Sequence, residues 1–230
     1  MISFEQVFGL TENHLANYEQ GDANLLLHTQ SLASFKKLHQ AALAQDIDIK
    51  IASSFRSFER QALIWNNKFT GKRPVFDKQN KVVDMSKLND WQKVQAILSF
   101  SALPGASRHH WGTDIDIYDN NALPQNYQLQ LSPTEYQESG IFSSLSSWLE
   151  QHATVHDFYR PYQATNMGIA QELWHISYGP TAKLFVEQFK QDCDLLLPAL
   201  ENNVQGYNVI RQHFDTILAD YVFCAAEFNS

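Results

Sequence analysis

The stretch SRHHWGTDID, residues 107–116, and the stretch ELWH, residues 172–175, decide how this chain is interpreted. Together they contain two imidazoles and a carboxylate, His109, Asp116 and His175, and this ligand set suits Zn²⁺. A catalytic zinc keeps three protein ligands and leaves its fourth position to water. Glu172 adds a carboxylate that could take the proton from that water. The sequence therefore predicts a site for metal-assisted hydrolysis.

The residues around the first two ligands predict a loop followed by a strand. Gly112 can turn the backbone where a residue with a side chain would be strained. Residues 113–118 then alternate polar and apolar side chains with a period of two, as in a half-buried strand. The isoleucines of this strand would face the core, while Asp114 and Asp116 would share the opposite face. A helical step of seven residues from His109 would also reach Asp116, but the glycine and the alternation favour a loop and a strand.

The second stretch is also strand-like. Residues 174–178 form a short apolar and aromatic run that stops at Gly179 and Pro180. Glu172 and His175 are three residues apart, which places them on opposite faces of a regular strand. We therefore expect Glu172 on the turn that enters the strand, or a bulge that re-aims its side chain. A helical Glu-x-x-His is the other geometry, but the following sequence does not resemble a helix.

The pattern Ser-x-His-x-x-Gly-x-x-x-Asp followed by Glu-x-Trp-His resembles the VanY-type D-alanyl-D-alanine carboxypeptidases. These are zinc peptidases of the LAS group that act on the peptide stems of the bacterial cell wall. Residues 53–61, SSFRSFERQ, resemble the Ser-Gly-Tyr-Arg-Ser segment of that family. The resemblance implies that His109, Asp116 and His175 hold zinc and that Glu172 is the catalytic base.

This chain departs from the family pattern at two places. The family usually has a small apolar residue two positions before the ligand aspartate, where this chain has Asp114. The Gly-Tyr pair of the family is replaced here by Ser54 and Phe55. Neither departure removes a ligand, but Asp114 adds charge near the metal and leaves the exact substrate open.

Two residues are candidates for substrate binding. A carboxypeptidase needs a cation for the terminal carboxylate of its substrate, and an arginine can bind a carboxylate through two hydrogen bonds. Arg56 is predicted to follow a strand and to precede a helix capped by Ser57. A surface ion pair is the other interpretation of Arg56, and the motif context favours substrate binding. Ser107 could bind the same carboxylate or cap the local turn.

Three further residues have weaker assignments. His110 is expected to point away from the metal and to pack or to support a ligand. Asp114 could orient His109 or be exposed. Arg160 is a weaker candidate for substrate contact.

Composition limits the class of partner and the location. The net charge of −8 argues against nucleic acid or an anionic membrane surface as the main partner. No apolar run is long enough to span a bilayer. The first ten residues contain an acid where a signal peptide needs basic residues, which predicts the cytoplasm, although export by another route stays open. Cys193 and Cys224 are expected to be buried free thiols.

We predict an α+β fold in which a small antiparallel sheet carries the zinc site and helices pack around it. Residues 1–230 are expected to form a single zinc-peptidase domain. Its core, which carries the motifs, would span about residues 30–180, with a helical C-terminal extension over about 181–230. The oligomeric state is left open. The polar residues 66–90 are predicted to form a long loop, and helices are expected over 183–195 and 207–223.

The predicted function is that of a zinc metallocarboxypeptidase. It would remove the C-terminal D-Ala of D-Ala-D-Ala peptidoglycan stem peptides, with Glu172 as the base for a metal-activated water. An L,D-carboxypeptidase or a peptidoglycan endopeptidase of the same fold is the alternative. A non-catalytic binding domain stabilised by zinc is a third interpretation. Glu172 argues against the third, because a structural zinc needs no base and usually closes its fourth position with a ligand.

Overall fold

In the computed structural model, residues 2–163 and 168–229 are described, and they form an α+β fold. A hairpin of two strands accompanies a four-stranded antiparallel sheet with the strand order β3-β4-β6-β5. The strands are β1 (Leu15–Gln20), β2 (Ala23–His28), β3 (Ile49–Ser53), β4 (Asp114–Asp119), β5 (Phe158–Tyr159) and β6 (His175–Tyr178). The predicted fold class is confirmed.

Helices pack around the sheet. The α-helices are α1 (Phe4–Val7), α2 (Thr29–Leu43), α3 (Phe58–Phe69), α4 (Asp90–Leu98), α5 (Pro133–Tyr136), α6 (Ser143–His152), α7 (Gly179–Asp192), α8 (Leu196–Leu200), α9 (Tyr207–Gln212) and α10 (Phe214–Ile217). Short 3₁₀ helices lie at Met85–Lys87, Arg108–Trp111, Ala153–His156 and Cys193–Leu195. A π-helix, Leu218–Val222, follows α10.

Strand β4 lies inside the sheet, between β3 and β6. Ile115 and Ile117 are fully buried against the helices, as the alternation predicted. Asp114 and Asp116 therefore share the opposite face. In the register with β6, Asp116 pairs with His175. This pairing brings together two candidate ligands that are far apart in the sequence.

Two apolar clusters hold the chain together. One joins the sheet to α2 and α6 and includes Phe35 and Trp148. The other joins α3 and α4 to the C-terminal helices and includes Trp65 and Phe185. The C-terminal helices thus share a core with α3, the helix that follows Arg56.

Several local predictions need correction. The hairpin of β1 and β2 and the short strand β5 were not predicted. Helix α3 runs to Phe69, so the predicted loop over 66–90 begins later, and it contains a short 3₁₀ helix. The predicted helix over 207–223 is divided into three segments. Cys193 and Cys224 were expected to be buried, but both are partly exposed.

Across the described part of the chain, no helix has both the length and the apolar character needed to cross a membrane.

Candidate metal centre

Three segments bring His109, Asp116 and His175 together. His109 lies on the 3₁₀ helix Arg108–Trp111, Asp116 on β4 and His175 at the start of β6. Each side chain offers one ligand atom, and these atoms all lie within 4.8 Å of one another. All three residues are buried. The cluster has the composition of a three-ligand catalytic zinc site.

Gly112 makes the turn between the first two ligands. It ends the 3₁₀ helix with φ of +69°, in the left-handed region that favours glycine. A Cβ at this position would lie 2.7 Å from the backbone nitrogen of His28 and would also collide with Leu15. The hairpin of β1 and β2 therefore packs directly on the turn, and a larger residue at 112 would displace His109.

The two imidazoles are oriented by hydrogen bonds at their outer nitrogens. Nδ1 of His109 donates to the carbonyl oxygen of Ser54 at 2.9 Å, so its Nε2 faces Asp116 Oδ2 at 3.3 Å. Nε2 of His175 donates to Asp114 Oδ1 at 2.9 Å, and its Nδ1 faces Asp116 Oδ1 at 3.0 Å. Such outer hydrogen bonds set which nitrogen is presented to a metal. The donor set and its support fit zinc.

Asp114 contacts His175 and not His109, which corrects the role considered from the sequence. The second partner of its carboxylate is Arg108, whose Nε donates to Oδ1 at 2.7 Å. The hydroxyls of Ser177 and Thr113 donate to Oδ2 at 2.9 and 2.6 Å. Asp114 is fully buried, so the charge that this chain adds near the metal is balanced within the protein.

The electrostatics of the cluster follow from these contacts. Burial opposes ionisation of Asp114, but Arg108 and His175 outweigh burial and hold its pKa well below the usual range. His109 and His175 act in the same way on Asp116 and hold its pKa low against burial. Burial lowers the pKa of His175, but the hydrogen bonds to the two aspartates outweigh it and raise the pKa to about 9. Metal binding would therefore displace a proton from His175.

We expect Asp114→Asn to weaken zinc binding about 10- to 100-fold. The amide keeps the size of the carboxylate but removes the charge that holds the outer nitrogen of His175. Competition with a chromophoric chelator measures the affinity, and thermal unfolding of the apoprotein reports any loss of stability. Asp119→Asn is the matched control, since Asp119 is a buried carboxylate on the same strand that contacts Asp48 and Asn121 instead of a ligand. Equal zinc affinity in Asp114→Asn and the parent would show that Asp114 does not support the site.

Glu172 lies beside the cluster on the turn that leads into β6. The backbone nitrogen of His175 donates to the carbonyl oxygen of Glu172 at 3.3 Å, which closes the turn that was expected in front of the strand. Glu172 Oε2 lies 3.8 Å from His175 Nδ1. Burial is the main cause that raises the pKa of Glu172 to about 8. A carboxylate with a raised pKa is a stronger base than an exposed one.

A cavity of about 560 Å³ opens over the cluster. Its wall includes Arg56, which donates to Gln61 Oε1 at 2.8 Å and to Ser53 Oγ at 3.1 Å. Ser107 also lines the cavity and makes no side-chain capping hydrogen bond, so the capping role considered for it is absent. The cavity thus brings both candidates for substrate binding to the metal cluster.

Other residues considered from the sequence lie elsewhere. Arg160 contacts Ser146 and Glu150 and does not line the cavity. His110 is buried and interacts with the backbone of Gly105 and Arg56, so it supports the segment that carries Arg56. Sequence analysis assigned no role to Arg108, the partner of Asp114. It also assigned none to Lys68, Arg73 and Tyr162, which line the cavity.

Comparison with known proteins is consistent with this geometry. The family model described as VanY, D-alanyl-D-alanine carboxypeptidase, matches residues 24–181. The chain belongs to the VanY family.

Two similar proteins of Haemophilus influenzae (strain ATCC 51907 / DSM 11121 / KW20 / Rd) are both described as uncharacterized. One is 37% identical over 124 residues, which cover 52% of this chain and 92% of the relative. The other is 46% identical over 100 residues, which cover 43% of this chain and 68% of the relative.

Solved structures of VanY-family and related peptidases share the fold. VanYB in complex with D-alanine-D-alanine has a TM-score of 0.54 at 17% identity, covering 79% of this chain and 86% of VanYB. The LD-carboxypeptidase LdcB has a TM-score of 0.53 at 19% identity, covering 80% of this chain and 76% of LdcB. A mutant of the D,D-pentapeptidase VanY in complex with Zn(II) has a TM-score of 0.51 at 18% identity, covering 76% of this chain and 86% of the mutant.

Proposed function

We propose that this VanY-family protein is a zinc-dependent carboxypeptidase that removes the C-terminal D-Ala from D-Ala-D-Ala peptidoglycan stem peptides. The observation that carries the proposal is the position of Glu172. Its carboxylate lies 3.8 Å from His175 within a buried His-Asp-His cluster. A cluster that can hold a metal, with a base beside it, is the arrangement used in metal-assisted peptide hydrolysis.

The residues of the site divide the reaction between them. His109, Asp116 and His175 would hold zinc, which when bound lowers the pKa of water in its open position and polarises the scissile carbonyl. Glu172 takes a proton from the attacking water and passes it to the leaving amine. Arg56 fixes the terminal carboxylate of the peptide, and Ser107 adds a hydroxyl to the same wall. No nucleophilic serine is needed, so β-lactams are not expected to trap the enzyme by acylation.

The alternative activity is that of an L,D-carboxypeptidase or an endopeptidase on the same polymer. LdcB, an LD-carboxypeptidase, shares the fold of this chain. The metal cluster would serve any of these reactions. Arg56 favours an exopeptidase, because an endopeptidase has no terminal carboxylate to bind. Hydrolysis of D-Ala-D-Ala-terminated and L,D-terminated muropeptides, each with and without zinc, tests the proposal. Cleavage of only internal bonds, or no cleavage with zinc bound, would contradict it.

Arg56→Ala is expected to slow the turnover of free-acid peptides. Losing a charge-assisted contact with a carboxylate costs about 1.5–3 kcal/mol, so the loss should be roughly one to two orders of magnitude. Amidating the C-terminus of the peptide should slow the parent by a similar factor and slow the variant hardly at all. The four rates form a double-mutant cycle in which one partner is the substrate. Arg60→Ala is the control, since Arg60 is exposed on α3, the helix that follows Arg56, and does not line the cavity.

Additive losses in this cycle would show that Arg56 does not touch the carboxylate. The exopeptidase assignment would then lose its main support, and the endopeptidase alternative would be favoured.

A further inference from the structure

Three cations line the cavity wall, and a single terminal carboxylate bound by Arg56 would leave two of them without a bound anion. Among the described residues, and apart from the histidines of the metal cluster, the charged side chains that line the cavity are the cations Arg56, Lys68 and Arg73 and the acids Asp116 and Glu172. Asp116 belongs to the metal cluster, and Glu172 lies beside it. This concentration of cations stands out in a chain whose net charge is −8. The cavity is thus a local positive region on an acidic protein.

The three cations have no acidic partner of their own. Within residues 2–163 and 168–229, neither Arg56, Lys68 nor Arg73 forms an ion pair. Arg56 is held by two neutral side chains, Gln61 and Ser53. Lys68 donates to the neutral hydroxyl of Ser101 at 2.6 Å. Arg56 and Lys68 are partly buried, and burial of a cation that has no ion-pair partner is costly, which a bound anion would offset.

Lys68 lies at a different position along α3 from the residue that holds Arg56. It lies seven residues after Gln61, which is the hydrogen-bond partner of Arg56. Lys68 and Gln61 therefore occupy one face of α3, roughly 10.5 Å apart along the helix axis. Lys68 is held against Ser101, while Gln61 is held against the next residue, Ala102. Burial and then the neighbouring Arg73 lower the pKa of Lys68 to about 8, with Glu172 opposing the effect and Arg56 adding to it. Its ammonium group is therefore poorly solvated and close to other positive charge.

We propose that Lys68 and Arg73 form a second anion subsite, which binds a carboxylate of the peptide other than the C-terminal one. The inference rests on the proposed function, because it assumes that Arg56 takes the terminal carboxylate. The preferred substrates are then peptides that carry an acidic group within a few residues of the cleaved bond. Lys68 is a specificity-determining residue in this arrangement, and Arg73, at the exposed edge, adds charge to the subsite.

Binding to zinc-loaded Glu172→Gln protein tests the subsite without turnover. The probes are acetyl-Glu-D-Ala-D-Ala and acetyl-Gln-D-Ala-D-Ala, and a second pair with an alanine inserted before the D-alanines. Calorimetry should show that the acidic peptide of at least one pair binds about 10- to 100-fold more tightly than its amide, as a charge-assisted hydrogen bond predicts. Adding Lys68→Met should remove this preference, and Lys68→Arg should retain it. Lys72→Met is the matched control, since Lys72 is exposed and does not line the cavity.

The possible results separate the two proposals. Intact binding with no preference for acid over amide in either pair would overturn the subsite alone. An equal loss for acid and amide in Lys68→Met would also overturn it, because Lys68 would then share the terminal carboxylate with Arg56. Absence of binding by every peptide to the zinc-loaded protein would overturn both the subsite and the proposed function. Retention of the preference by Lys68→Arg shows that a loss in Lys68→Met comes from charge and not from misfolding.

Discussion

Glu172→Gln is expected to lower peptide hydrolysis by about two to four orders of magnitude while zinc stays bound. Glutamine keeps the shape of the side chain on the turn before β6, but it cannot accept a proton from the attacking water. The metal cluster loses no ligand, because His109, Asp116 and His175 supply the donor atoms that lie together. The rate of D-Ala release and the zinc content of the same preparation are the two measurements.

Glu150→Gln is the control for this variant. Glu150 is an exposed carboxylate on α6 that lies outside the cavity, so its loss should leave the rate unchanged. Hydrolysis by Glu172→Gln at the rate of the parent would show that Glu172 is not the base. Asp114 is then the next carboxylate to test, although its hydrogen bonds with Arg108 and His175 already occupy it.

The double variant His109→Ala, His175→Ala is expected to lose both zinc and activity. It leaves one of the three clustered ligands, and a single carboxylate does not hold a catalytic zinc. Hydrolysis should fall by more than about three orders of magnitude, because the attacking water is no longer activated. Elemental analysis after reconstitution should find one zinc per chain in the parent and almost none in the variant.

His213→Ala is the control for the ligand variant. His213 stacks on Trp91, and it is not part of the metal cluster or of the cavity wall. No divalent metal in the reconstituted parent, or unchanged zinc in the double variant, would contradict the metal assignment.

The elements that carry the ligands could be predicted from local patterns. The alternation over 113–118 and the glycine before it are short-range signals, and they correctly placed a turn before β4. The spacing of Glu172 and His175 excluded a single regular strand and thereby indicated the turn. The hairpin of β1 and β2 also had a signal, since Gly21 and Asp22 form a two-residue turn of the type that joins antiparallel strands.

The partners of the ligands could not be predicted, because they depend on which strands pair. Asp114 is adjacent in sequence to the turn of His109, yet it contacts His175, because β4 pairs with β6 with Asp114 opposite Ser177. Arg108 gave no signal in the sequence, because its contacts with Ser177 and Tyr159 exist only once β4, β6 and β5 have paired. Lys68 lies in a polar helical segment, and only the packing of α3 against Ser101 shows that it faces the cavity.

The register of β4 against β6 also limits how the chain can change in length during evolution. Because successive side chains of a strand alternate between faces, one residue inserted between Asp114 and Asp116 would turn one of the two aspartates toward the apolar core. The loop between β4 and α5 carries no strand register and no member of the metal cluster. We therefore expect relatives to differ by insertions and deletions within residues 120–132, while the spacing from Gly112 to Asp116 stays the same.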